Sequence, residues 1–325
     1  MISGSPKAIP ADRDLVYDRS GDGKPGMIQP TYAMLEDRGA LALSGSDRQS
    51  FLQGLVSNDL DKLGHERVVH AALLTPQGKY LHDFFVVDTG SALVLDCERA
   101  RIDDLARRLR VYKLRADISI DDVTDRFAVA ALMGEGTARA LGLDADPGRA
   151  ASFGGGVVYI DPRLAKAGAR ALLPRDGAER ALERAAFASA DASTYDKTRI
   201  LLGLPDGSRD MVVEKAVLLE CGFEELNGVD FDKGCFLGQE LTARTKYRGL
   251  VKKRLVPVRI HGPAPAIGTP VTLDGKEAGE MRSGRDGAGL ALMRLEHLER
   301  AAASGIAFHC ADAVLEPSKP DWARF

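Results

Sequence analysis

The chain has 325 residues, 45% of them hydrophobic and 28% charged, which is enough for about two domains with sizeable cores. A formal net charge of −3 and a pI near 6.1 exclude a general attraction to nucleic acid or to anionic membrane surfaces. The four cysteines, Cys97, Cys221, Cys235 and Cys310, form no Cys-x-x-Cys pair, which argues against a built-in metal site or a disulfide framework, and no apolar run approaches the roughly 20 residues that span a bilayer.

In chain order, residues 1–30 are rich in glycine, proline, serine and charge, and Asp12, Asp14, Asp18 and Asp22 interrupt any apolar run. This composition predicts an extended tail that is neither a signal peptide nor a typical transit peptide, and hence a cytoplasmic protein. A short strand at 40–43 feeds a helix at 47–55, with Ser46 and Gln49 spaced as a capping box. A hairpin follows at 71–74 and 80–87 around Pro76-Gln77-Gly78-Lys79, then a strand at 92–96 and a helix at 98–109 with Ile102, Leu105, Ala106 and Leu109 on one face. Further strands are expected at 116–120, 127–131 and 157–160, helices at 137–141, 177–189 and 193–202, and a flexible glycine-rich connection at 144–156. This succession is α+β, not the regular alternation that builds a parallel sheet. Beyond Arg254, short strands at 255–260, 271–273, 277–283, 289–295 and 313–316, with Asp274-Gly275 as a hairpin turn, predict a small antiparallel barrel. The chain therefore divides into a tail (1–30), a main region (31–250) and a barrel (251–325).

The stretch Lys233-Gly234-Cys235-Phe236-Leu237-Gly238-Gln239-Glu240-Leu241-Thr242-Ala243-Arg244 places one thiol between glycines, beside a lysine and ahead of a helix. Glycines allow positive φ and close approach of a ligand, while Lys233 and the helix amides would favour a thiolate at Cys235. Cys97 and Cys310 adjoin apolar runs and read as core residues, whereas Cys221 stays open between core and site. Arg244, Lys246, Arg248, Lys252, Lys253 and Arg254 form a basic stretch without an acid. It suits either a solvated helix end or an anionic ligand, a folate tail, a thiolate-bound cluster precursor or an acidic protein.

The Cys235 stretch, continued by Thr245-Lys246-Tyr247-Arg248-Gly249, resembles the signature of the YgfZ family and its mitochondrial Iba-type relatives, folate-binding proteins of iron–sulfur cluster assembly. In the order of that family come Phe51-Leu52-Gln53-Gly54-Leu55-Val56-Ser57-Asn58-Asp59, Leu74-Thr75-Pro76-Gln77-Gly78-Lys79, Asp196-Lys197-Thr198-Arg199 with Gly203-Leu204-Pro205, and Asn227-Gly228-Val229-Asp230-Phe231. The wider superfamily is similar to the T-protein of glycine cleavage, a folate-dependent aminomethyltransferase. Two departures from it argue against aminomethyl transfer: His82-Asp83 stands where that enzyme has paired aspartates, and the basic Ala165-Lys166-Ala167-Gly168-Ala169-Arg170 stands where it has glutamates.

The resemblance implies a GcvT-like three-lobed ring, with two interwoven N-terminal α+β lobes and a C-terminal antiparallel barrel around a central folate pocket. It implies a monomeric accessory factor for maturing or repairing 4Fe-4S proteins, without classical turnover, that binds tetrahydrofolate and works with assembly or client proteins. Cys235 is the candidate functional thiol, as nucleophile, transient cluster ligand or redox sensor, with Lys233 and Gln239 as its helpers. Asn58, Asp59, Asp83, Arg199, Gly238, Glu240 and Arg244 are the candidate folate contacts. Most have a plain alternative: Cys235 as a small residue demanded by a tight turn, Lys233 as a solvated lysine, Asn58 and Asp59 as turn residues, Arg199 in an interlobe salt bridge, Gln239 as a helix cap, and Glu240 with Arg244 as an i, i+4 surface pair. No metal-ligand set is expected. The rival functions are a folate-dependent one-carbon transferase and a tRNA-modification factor that uses the basic stretch.

Overall fold

The computed structural model describes residues 29–325, so the expected N-terminal tail lies almost wholly outside the described residues. Two antiparallel-rich sheets and a barrel make up the rest. The first sheet runs in the order Ala188–Ser189, Thr31–Met34, Phe127–Met133, Ala169–Pro174, Gly156–Ile160, Ala150–Phe153. The second runs Val69–Leu74, Tyr80–Asp88, Leu93–Glu98, Arg38–Ser44, Ser119–Asp122. Thr31–Met34 lies in one sheet and the next strand, Arg38–Ser44, in the other, so the two lobes are interwoven from the first residues onward.

The alternation of side chains along Tyr80–Asp88 explains how the lobes stack. Phe84 and Val86 face a core shared with Leu52 of helix Arg48–Gln53 and with Leu105 and Leu109 of helix Ile102–Lys113. Phe85 and Val87 face the opposite way, into a core shared with Ala33, Val129, Ala131 and Leu172 of the first sheet. The first sheet's outer face, with Tyr32, Ala130 and Leu132, is covered by Leu182 of helix Ala178–Arg184 and by Phe187. Strands buried on both faces carry near-continuous apolar runs, as this one does.

The barrel is closed, with strand order Lys253–His261, Ala288–Arg294, Lys276–Arg285, Pro270–Leu273, Phe308–Cys310, Ala313–Pro317, every pair antiparallel. Closure removes free edges, and the interior is filled by Val256, Val258, Met281, Met293 and Phe308. The turn Asp274-Gly275 has φ of 52° and 72°, as a tight hairpin of this type requires. After the barrel, the C-terminal tail returns to the main region. The Trp322 indole donates to the Leu202 carbonyl at 2.7 Å, and its ring lies where a Cβ on Gly222 would meet it at 2.6 Å.

Several local expectations are corrected. Ser46 and Gln49 form no capping box: the Ser46 hydroxyl donates to Asp117 and the Gln49 amide to the Leu60 carbonyl. The 144–156 connection contains a strand, Ala150–Phe153, hairpinned to Gly156–Ile160 through Gly154 and Gly155. Strands Ala169–Pro174 and Phe308–Cys310 and helix Leu295–Ser304 are present where none was expected.

Candidate functional site: an anchored cysteine loop beside a charged interior

Cys235 is exposed, and it alone among the four cysteines; Cys97, Cys221 and Cys310 are buried. Burial pushes the Cys97 thiol up to about 12 and those of Cys221 and Cys310 upward as well, so all three are inert core residues. Cys235 lies on a loop that joins residue 231 to helix Gln239–Tyr247, and three of the other sequence blocks singled out above, 51–59, 74–79 and 227–231, converge to hold that loop.

Lys233 is the main anchor. Its ammonium donates to three carbonyls, of Gln53 at 2.7 Å, Val56 at 2.6 Å and Asn58 at 2.8 Å, all in the turn that follows helix Arg48–Gln53. Burial lowers its pKa to about 8, against the pull of Asp59, Asp230 and Asp61. All three bonds point into the turn, so the hydrogen bonds of Lys233 hold the loop's backbone. Leu237 N–H donates to Gly54, and Asp230 N–H to Ser57. Ser57 donates in turn to the Gly228 carbonyl at 2.6 Å.

At its far end the loop is seated by two glycines. Gly238 has φ of 79°, and a Cβ there would come within 2.4 Å of the Thr75 carbonyl and 3.0 Å of Gly78 Cα. Gly78 has φ of 76° and a Cβ there would meet the Gly238 carbonyl at 2.6 Å. The two turns therefore touch backbone to backbone, a contact that any side chain would prise apart. Gln239 closes the loop through its side-chain oxygen, which accepts from Phe236 N–H at 3.1 Å. The side-chain oxygen thus acts locally, within the loop.

The other candidates resolve differently. Asn58 donates to the carbonyls of His70 and Asn227, both at 2.7 Å, and accepts from Asp59 N–H. Asp59 caps the short helix Leu60–Lys62 and accepts from Gln53. Arg199 is buried with its guanidinium fully engaged: it pairs with Asp196 and Asp210 at 2.7 Å and donates to the Leu204 carbonyl and, across to the barrel, to the Ser283 hydroxyl at 3.0 Å. No donor is left for a folate carboxylate, and the interlobe bridge is the role it performs. Glu240 and Arg244 are exposed and form no ion pair with each other.

The interior between the two sheets carries a second, denser group of charges. His82 and Asp83 point to opposite faces of their strand. His82 meets Asp104 of helix Ile102–Lys113 at 2.9 Å, and burial lowers its pKa to about 4. Asp83 faces the sheet interface, where it accepts from Tyr80 at 2.8 Å and lies 3.4 Å from His70 Nε2. Although burial opposes it, the His70, Arg38 and Tyr80 contacts hold the Asp83 carboxyl below its usual value. Farther in, Asp96 accepts from Arg38 at 2.6 Å, Arg170 at 3.1 Å and Tyr159 at 3.2 Å, while Asp161 holds Arg163 through two bonds. Three guanidiniums, of Arg38, Arg163 and Arg170, lie 4.4 to 5.9 Å from the Phe85 ring centre. Arg170 is thus locked into the interior.

A cleft of about 380 Å³ opens beside this interior, lined by Asp37, Arg38, Glu98, Arg99, Ala100, Asp206 and Arg209. Gly207, next to the lining residue Asp206, packs close to Asp83: a Cβ there would lie 3.0 Å from Glu98 Oε2 and 3.9 Å from Asp83 Oδ1. None of Asn58, Asp59, Arg199, Gly238, Glu240 and Arg244 lines the cleft; of the expected folate contacts, Asp83 and Arg199 come near it, Arg199 lying 3.9 Å from the Asp206 carboxylate. The residues that do line it were missed, although Asp206-Gly207 directly continues the Gly203-Leu204-Pro205 block already noticed. The basic stretch also divides: Lys246 pairs with Glu224 and stacks on Phe231, Arg254 is buried against Glu225, and Arg244, Arg248 and Lys252 remain exposed without partners among the described residues.

Residues 252–325 match the family model of the CAF17 C-terminal β-barrel domain. The chain is similar in fold to the glycine cleavage system aminomethyltransferase T from Bartonella henselae, with a TM-score of 0.71 over 91% of this chain and 86% of that one at 13% identity. The mitochondrial iron–sulfur cluster assembly factor IBA57 of Homo sapiens is 32% identical over 311 residues, covering 89% of this chain and 84% of the relative. That of Mus musculus is 31% identical over 289 residues, covering 83% and 79%. Both are named as mitochondrial proteins, which overturns the expectation of a cytoplasmic one. The fold is thus GcvT-like, and the chain belongs to the IBA57 family of iron–sulfur cluster assembly factors.

Proposed function

We propose that this chain handles iron–sulfur clusters through Cys235 as a single thiolate ligand, with the remaining ligands supplied by an assembly or client protein. The observation that carries this reading is the one exposed thiol, held on a loop that Lys233, Gly238 and Gln239 fix to the main region. Cluster irons are held by sets of thiolates. Among the described residues no three histidines, cysteines or acids converge, so Cys235 acts as one member of a set shared with a partner.

Tetrahydrofolate is the proposed occupant of the cleft. A pterin presents an edge of N–H donors and a folate tail presents carboxylates; the cleft offers Asp206 and Glu98 for the first and Arg99 and Arg209 for the second. Asp206 suits the donor edge because, although burial opposes it, Arg199 and Arg38 hold its pKa at about 2, so it stays ionised. When bound, the folate would supply a one-carbon carrier or a redox-active pterin. Asp83 is then the only acid of the His82-Asp83 pair on the interior side, which supports an accessory role over aminomethyl transfer.

Anaerobic calorimetry with tetrahydrofolate on wild type and Cys235→Ala, paired with iron–sulfur enzyme activity in cells lacking the native factor, tests both parts. Equal folate binding with activity restored only by wild type is the expected result. Full activity with Cys235→Ala would overturn the thiolate role, and absence of folate binding in both proteins would overturn the cleft assignment.

A further inference from the structure

The loop that carries Cys235 runs alongside helix Gln239–Tyr247. Phe231, at its start, packs edge-on to Tyr247 at 6.2 Å and lies 3.8 Å from the Lys246 ammonium, while Gly238, at its end, opens the same helix. The loop therefore borders the helix at both of its ends, and the exposed Cys235 sits on it next to the helix's outer side. That side is polarised. Glu240 stands in the first turn, and the last turn and the residues beyond it expose Arg244, Arg248 and Lys252 with no acidic partner among the described residues. Among these cations lie two large apolar side chains, Tyr247 at 72% exposed and Leu250 at 44%.

We propose that this face docks an acidic protein surface, bringing the partner's cluster ligands to Cys235. The inference rests on the cluster-handling reading of that thiol. Tyrosine and arginine are among the side chains enriched at the centres of protein interfaces, and an exposed tyrosine three residues from Arg244 and next to Arg248 on the same helix end fits an apolar spot bordered by carboxylates. Three unpaired cations on a chain of net charge −3 are too few for a polyanion such as RNA, whose binding rests on many phosphate contacts.

The test uses two synthetic peptides, each with one cysteine activated as a thionitrobenzoate mixed disulfide, flanked by glutamates in one and lysines in the other. Because Cys235 is the exposed thiol, release of thionitrobenzoate reports exchange at this residue. At low ionic strength the glutamate peptide is expected to react about tenfold faster than the lysine peptide, an advantage that salt screens away. In the double variant Arg244→Glu, Arg248→Glu, whose folding is checked by its thermal transition, the preference inverts and iron–sulfur enzymes are not restored in cells. Equal rates with both peptides in wild type, or full restoration by the double variant, would overturn the docking face. Salt-sensitive tRNA binding lost in the double variant would assign the face to nucleic acid instead. Full activity of Cys235→Ala would strike the underlying thiolate reading, independently of the peptide rates.

Discussion

The cysteine loop and the charged interior solve opposite problems with the same kinds of residue. In the interior, arginine and aspartate satisfy one another: Arg199 with Asp196 and Asp210, Arg38 and Arg170 with Asp96, Arg163 with Asp161. At the loop, a lysine satisfies backbone carbonyls and glycines remove side chains, so that one thiol stands clear. Buried charge here builds the frame, and the reactive group is displayed by geometry at the frame's edge. Residues of similar appearance in sequence, such as Arg199 and Lys233, therefore act far from the chemistry their charges suggest.

The sharpest way to break this contrast is at Arg199. Asp210→Ala leaves a buried guanidinium short of a partner and is expected to cost about 3–5 kcal/mol of stability, read from urea unfolding; a loss below 1 kcal/mol would show that the bridge is not part of the frame. His82 gives the next effect through pH. Its folded pKa of about 4 lies below the ordinary 6.5, so the unfolded chain takes up a proton over that interval that the fold refuses. Stability is complete above pH 6.5 and declines toward pH 4 by up to about 3 kcal/mol, a slope that His82→Leu should flatten in pH-resolved thermal melts.

At the loop, Lys233→Met strips three carbonyls of their donor and is expected to cost about 2 kcal/mol and to loosen the loop, seen as faster backbone hydrogen exchange around Cys235. Lys233→Arg keeps the charge but not the tripod of donors, so it should restore little; full rescue by arginine would return the residue to an electrostatic role. Cys235→Ser should change stability by less than about 0.5 kcal/mol while abolishing support of iron–sulfur enzymes, because an exposed thiol contributes little packing.

How much of this was legible in sequence depends on how far apart the partners lie. The hairpin Val69–Leu74 with Tyr80–Asp88, the buried stripe Ile102, Leu105, Ala106 and Leu109, and the barrel turn at Asp274-Gly275 all follow from local pattern. The capping box failed because Ser46 has a better partner 71 residues away in Asp117. Strand Ala169–Pro174 is central in its sheet, yet its Ala-Arg-Ala start lacks the β-branched and aromatic residues that mark strands. For the site, the thiol was legible from its glycines and setting, whereas the cleft was not. Arg38 and Glu98 are cross-strand partners in the second sheet, and Asp206 and Arg209 reach them from a segment more than 100 residues further along the chain, so the cleft exists only once that segment packs against the strand pair.

The C-terminal tail carries the chain's single tryptophan, whose indole is pinned to the Leu202 carbonyl and laid against Gly222. That placement makes the molecule its own optical gauge. Ultraviolet excitation near 295 nm would light one fluorophore at the seam between tail and main region, and its emission would redden as that seam opens, with no label attached.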